Sequence, residues 1–175
     1  MPIKTIFLDR DGVINKEVNY LHKIKDFKFI DGVFNACLHF QNLGYKIIIV
    51  TNQAGIARGY YSHEDYSILT NWMINQFELN FVNILDIFYC PHGPNSGCYC
   101  RKPQPGMLFE ANKVHDIDFK SSWLIGDKET DIEAAKAAGI NKTILVKSGH
   151  LINERNSKSM FIINSIKESN KIIIN

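Results

Sequence analysis

Short apolar runs recur along the chain, and most close on polar or acidic residues. Residues 3–8, 46–50, 84–89, 122–125, 143–146 and 161–163 are rich in Ile, Leu, Val and Phe. They are too short for typical helices and read as buried strands. Helical spacing falls between them. One helix is expected over residues 32–43, with Phe34, Leu38 and Leu43 on one side, Asp31 as cap and Gly44 as stop. A second opens at Ser62 with an acidic first turn and carries Tyr66, Leu69, Trp72, Met73, Phe77 and Leu79 toward the core. A third starts near Met107 with Leu108, Ala111 and Val114, and an alanine-rich fourth runs from Asp131 to a stop at Gly139. The tail from Ser165 reads equally as a helix or a frayed end. Residues 15–30 break the pattern: Phe27 and Phe29 alternate around Lys28, which suggests a short strand or hairpin flap beside the site.

Alternating strands and helices call for an α/β fold, a Rossmann-like parallel sheet with helices on both faces. No internal repeat, linker or inserted cap domain interrupts residues 1–175, so one domain is expected. In such a sheet every strand ends on the same side, where ligands bind.

The residues following the strands carry the chemistry. After the first come Asp9-Arg10-Asp11-Gly12. Two close carboxylates repel, and a hard divalent ion such as Mg²⁺ would relieve the repulsion. One carboxylate can then attack as a nucleophile while the other, when protonated, donates a proton. Taken alone, Asp-x-Asp-Gly also suits a solvated turn. After the second strand, Thr51 with Asn52 and Gln53 offers a hydroxyl, amides and backbone N–H groups, a plausible phosphate cradle. Glu17, Asn19 and Tyr20 could reach substrate hydroxyls or be ordinary loop residues. After the third strand, Cys90, His92, Cys98 and Cys100 can close a tetrahedral structural Zn²⁺ site, leaving no position open for water. Arg101 and Lys102 follow at once. A Lys ammonium suits a point contact to a phosphoryl oxygen, and Arg a bidentate grip on a second phosphate. After the fourth strand come Gly126-Asp127-Lys128 and then Asp131. The convergence of Asp9, Asp11, Thr51, Lys102 and Asp127 on one sheet edge argues for a site more strongly than any one motif.

Composition narrows the class. The chain has 175 residues, 45% of them hydrophobic and 22% charged, with a net charge of +2. A chain of this length buries about 70% of its unfolded surface and needs no disulfides to fold. The mild charge argues against nucleic-acid or membrane-surface binding. Residues 141–175 hold six Lys or Arg against two Glu, which reads as a solvated face. No apolar run approaches the length of a membrane span. The N-terminus enters a strand directly, without the charged and apolar regions of a signal peptide, so a cytoplasmic location is expected. Clustered cysteines there suggest metal, whereas isolated Cys37 reads as a small core residue.

The motifs Asp9-Arg10-Asp11-Gly12, Thr51, Lys102 and Gly126-Asp127 through Asp131 resemble those of the haloacid-dehalogenase-like phosphotransferases. The likeness spans nearly the whole chain. Residues 51–59 and 100–107, with the zinc loop, look like the D-glycero-D-manno-heptose 1,7-bisphosphate phosphatase family, which acts toward nucleotide-activated heptose for bacterial surface glycans such as lipopolysaccharide. The resemblance implies Asp9 as nucleophile, Asp11 as acid and base, and Mg²⁺ held by Asp9, Asp127 and the Asp11 carbonyl. It implies Thr51 and Lys102 on the phosphoryl group, Asp131 orienting Lys102 or the metal shell, and Arg101 and Lys128 recognising substrate. The expected partner is a small sugar bisphosphate, and a monomer is expected. Five residues separate His92 from Cys98, a short spacing shared with histidinol-phosphate phosphatase domains. Residues 55–59 and 105–107 favour the heptose enzymes. The alternatives are a histidinol-phosphate phosphatase, a catalytically inactive sugar-phosphate-binding protein and a nucleic-acid end phosphatase.

Overall fold

The apolar runs form one six-stranded sheet, in a computed structural model that describes residues 1–174. The elements follow in the order β1 (Thr5–Leu8), α1 (Val33–Asn42), β2 (Lys46–Asn52), α2 (His63–Leu79), β3 (Ile84–Cys90), α3 (Gly106–His115), β4 (Trp123–Gly126), α4 (Glu129–Ala138), β5 (Lys142–Val146) and β6 (Phe161–Ile163). The strand order is β3-β2-β1-β4-β5-β6, and every neighbouring pair is parallel. Central β1 sets Phe7 beside Ile48 on one side and Leu124 on the other.

Because side chains alternate across a strand, each run supplies both faces. Ile6, Leu8, Ile47, Ile49 and Ile125 share one buried cluster with Phe40 of α1 and Leu69 and Phe77 of α2. Phe7, Ile48, Val50 and Leu124 share the other with Leu108 and Ala111 of α3 and Ala134 and Ala135 of α4. The order reverses between β1 and β4, where the chain turns from filling one flank to filling the other. Such a switch point opens a crevice at the strand ends.

The start of α2 follows local chemistry and that of α1 does not. Ser62 caps α2, accepting from Asp65 N at 3.0 Å, while the Asp65 carboxylate accepts from Ser62 N at 2.8 Å. Such a box contributes about 1 kcal/mol. Asp31, expected to cap the first helix, does not. Gly32 holds that position with φ of 82°, and exposed Asp31 pairs with Lys167 at 2.6 Å, 136 positions away. The expected flap at Phe27 and Phe29 is also corrected. Ile24–Asp26 forms a turn of 3-10 helix, and only Phe29 makes a β-bridge, to Asn15. Both rings pack inward, with Trp72 5.3 Å from Phe27 and Phe77 5.8 Å from Phe29. Leu79, expected in the core, is exposed, whereas Cys37 is fully buried. The tail forms a 3-10 turn over Ile166–Lys171, with Ile166 and Ile173 buried in the α1 side of the core.

Candidate active site

β1 ends at Leu8, and Asp9 N donates to Ile125 O at 3.0 Å, prolonging the pairing with β4. Asp9 is thereby set beside the switch point with its side chain almost wholly buried. Lys102 Nζ donates to Asp9 Oδ1 at 2.9 Å and to Val50 O at 2.8 Å, and lies 2.6 Å from Asp131 Oδ1. Burial pushes the Asp9 carboxyl well above its usual range. Lys102 opposes this, while Asp131, Asp127 and Asp11 add to it. Burial also disfavours the Lys102 charge, but Asp131 and Asp9 outweigh it and hold the ammonium protonated.

Asp11 is fixed by four donors. Arg10 reaches it through Nε at 3.2 Å and Nη2 at 3.0 Å, Asn15 Nδ2 at 3.0 Å and Gln53 Nε2 at 3.2 Å. Thr51 and Asn52, expected just beyond β2, are its last two residues. Buried Thr51 Oγ1 accepts from Gln53. Asn52, expected to meet substrate, also brackets Lys102: its Oδ1 accepts from Lys102 N at 3.1 Å and its Nδ2 donates to Lys102 O at 3.2 Å.

Asp127 follows β4 and is fully buried. Its Oδ2 accepts from His150 N at 3.0 Å and lies 2.6 Å from His150 Nδ1, while its Oδ1 has no protein partner. Gly12 and Gly149 pack against the carboxylate, and a Cβ on either would collide with Oδ2. Gly12 also adopts φ of 88°, so glycine is required there on two counts. Asp131 Oδ2 accepts from Asp127 N and Lys128 N at 3.1 and 3.0 Å. With Oδ1 on Lys102, both oxygens of Asp131 are engaged.

Asp9, Asp11, Asn52, Gln53, Lys102, Asp127 and Asp131 line a cavity of about 390 Å³ with Glu17, Asn19, Tyr20, Arg101 and Lys128, and buried Thr51 is not part of its wall. Arg101 Nη1 donates to His92 O at 3.2 Å, tying it to the cysteine loop. His150 was not foreseen in the sequence. It sits 23 positions after Asp127, and the only signal for it is that its loop follows β5 and so opens on the same sheet edge.

The surplus of buried acid, the unpartnered Asp127 Oδ1 and the proximity of Asp9 suit a divalent cation with oxygen ligands. The loop beyond β3 suits zinc. The Cys90, Cys98 and Cys100 sulfurs and a His92 nitrogen all lie within 4.8 Å of one another, and all three cysteines are free. Cys98 Sγ stands 3.6 Å from that of Cys90 and 3.7 Å from that of Cys100. A tetrahedron with Zn–S bonds near 2.3 Å has sulfurs about 3.8 Å apart, which both Cys98 distances approach and the Cys90–Cys100 separation of 2.9 Å falls short of.

Fold and site define a hydrolase of the haloacid-dehalogenase-like class, and the HAD-hydrolase-like family model matches residues 99–169. A D-glycero-α-D-manno-heptose-1,7-bisphosphate 7-phosphatase of Photorhabdus laumondii is 51% identical, over 98% of this chain and 97% of that protein. The β-anomer phosphatase of the same organism is 43% identical over 98% and 95%. The chain belongs to the heptose-1,7-bisphosphate 7-phosphatase family. A crystal structure of D,D-heptose 1,7-bisphosphate phosphatase from B. bronchiseptica, complexed with magnesium and phosphate, superposes with a TM-score of 0.86 at 29% identity, covering 97% of each chain.

Proposed function

We propose that this chain is a Mg²⁺-dependent phosphomonoesterase that removes the C7 phosphate of D-glycero-D-manno-heptose 1,7-bisphosphate, on the way to nucleotide-activated heptose. The observation that carries the reading is Asp9, buried at the end of β1, anchored 2.9 Å from Lys102 and followed two residues later by a second acid.

In this reading Asp9 attacks phosphorus and becomes an aspartyl phosphate as the ester P–O bond breaks. Asp11 gives its proton to the departing sugar oxygen, then takes one from the water that cleaves the acyl phosphate and frees Asp9. Lys102 and the Thr51 hydroxyl hold the phosphoryl oxygens. Asp9, Asp127 and the Asp11 carbonyl would hold Mg²⁺, which offsets the charge that develops on the transferred group. Cys90, His92, Cys98 and Cys100 would hold a structural zinc.

Support for the substrate comes from family membership and from the cations Arg101 and Lys128 on the cavity wall. The test is phosphate release, with Mg²⁺, from both heptose bisphosphate anomers and from histidinol phosphate. The α anomer is expected to give the highest kcat/KM, because the 51% identical relative bears that name against 43% for the β enzyme beside it. Preference for histidinol phosphate would overturn the substrate.

Arg101 is expected to read the second phosphate. Arg101→Ala should therefore cost kcat/KM on the bisphosphate about tenfold more than on a monophosphate, the size of one charge-assisted contact. Equal losses on both substrates would remove Arg101 from that role.

A further inference from the structure

We infer that Tyr61 is a positioning residue for the reaction: through Gln53 it fixes both the Asp11 carboxylate and the proton of the Thr51 hydroxyl. This rests on the roles proposed above for Asp11 and Thr51.

The Tyr61 ring is 6% exposed and lies against Gly55, where any Cβ would overlap it. His22 stacks on the ring, with centroids 5.1 Å apart and planes 12° from parallel. The ring is thus clamped, and its hydroxyl donates to Gln53 Oε1 at 2.6 Å. Burial raises the phenol to about 12, so it stays neutral and remains a donor.

A carboxamide has one accepting end and one donating end. With Oε1 engaged by Tyr61, the amino group of Gln53 faces Asp11 Oδ2 at 3.2 Å and Thr51 Oγ1 at 2.8 Å. The flipped amide would bring an accepting oxygen against the Asp11 carboxylate. The contact to Thr51 has a further consequence. Gln53 occupies a lone pair of the Thr51 oxygen, so the hydroxyl proton turns away from Gln53 and is free for a phosphoryl oxygen. Gln53 is only 3% exposed. Its backbone N donates to Cys90 O at 2.8 Å, which ties the same residue to the first cysteine of the loop. Sequence position suggested that Gln53 binds substrate, yet both ends of its amide go to protein partners.

Tyr61→Phe keeps the ring and removes one oxygen. Gln53 Oε1 is then buried without a donor, the amide loses its fixed sense, and the Thr51 proton can turn back toward it. The expected result is a kcat about 10- to 100-fold lower, the range for losing a group that orients a reacting residue. KM should stay within about twofold, because the interaction acts in the transition state rather than in binding. Gln53→Ala should give a similar loss, and the double variant should be no worse than Gln53→Ala, since Tyr61 acts only through Gln53. Gly55→Ala, which displaces the ring while leaving the hydroxyl, should show the same selective fall in kcat. Wild-type kcat in Tyr61→Phe, or losses that multiply in the double variant, would overturn the inference. A wild type that hydrolysed histidinol phosphate or an aryl phosphate but not the bisphosphate would overturn the substrate alone. The same four variants measured on that ester would then decide the role of Tyr61.

Discussion

Asp9→Asn is expected to leave a folded protein with less than a thousandth of wild-type turnover, the roughly 10³-fold or greater loss typical of removing a nucleophile. An amide cannot form the acyl phosphate, so the loss falls on chemistry rather than on binding. The fold should survive because the buried Lys102 ammonium keeps Asp131 at 2.6 Å and Val50 O at 2.8 Å. Breaking a buried pair usually costs about 3–5 kcal/mol when it strands a charge, and here one carboxylate remains to prevent that. Circular dichroism with a phosphate-release assay separates the two effects. Turnover above a thousandth of wild type in a folded variant would sink Asp9 as the nucleophile.

Cys98→Ser is expected to have the next largest effect. The loop from Cys90 to Cys100 holds three cysteines, one histidine, two prolines and two glycines, and Tyr99, its one large apolar residue besides the thiols, is exposed. Apart from Cys90, which is buried in the core, such a segment has little apolar surface of its own to order it. Structural zinc contributes about 10–16 kcal/mol of apparent binding energy in small peptides, much of it used in ordering the chain. Losing a ligand should loosen the loop and with it Arg101 and Lys102, which follow Cys100 directly. Activity should fall to the background and not return with excess Mg²⁺, while the sheet stays folded. Elemental analysis should find about one zinc per wild-type chain and much less in the variant. A zinc-free wild type that keeps full activity after a chelator that spares Mg²⁺ would make the cysteines bystanders.

The strands were legible because a sheet covered on both faces demands apolar residues at consecutive positions, a pattern few other elements impose. Residues 46–50 and 143–146 needed nothing else. The candidate carboxylates Asp9, Asp11 and Asp127 were legible because they follow those runs. What failed was whatever distant contacts decide. Asp31 is a good capping residue, but Lys167 approaches from the far end of the chain and the helix begins one residue later behind a left-handed glycine. The alternation at Phe27 and Phe29 looks like a strand, yet Trp72 and Phe77 of α2 draw both rings into the core. Asn52 and Gln53 line the cavity as expected of substrate contacts, but nothing local says that their amides also turn to Lys102 and Tyr61. His150 reaches Asp127 only because β5 lies next to β4.

The strand order also governs how the protein comes into being on the ribosome. β1 leads directly into Asp9, the proposed nucleophile, but Ile6 pairs with Trp123, 117 positions later. At about 5–20 residues per second, roughly 6 to 23 s pass between the emergence of these two strands. In that interval β1, β2 and β3 can assemble with α1 and α2, whose contacts are nearer in sequence and close sooner. The opposite face of that half-sheet, bearing Phe7, Ile48 and Val50, stays uncovered until α3 and α4 arrive. The growing chain therefore displays an apolar surface suited to a chaperone, with the Asp9 carboxylate at its edge and no Asp127 to complete the site.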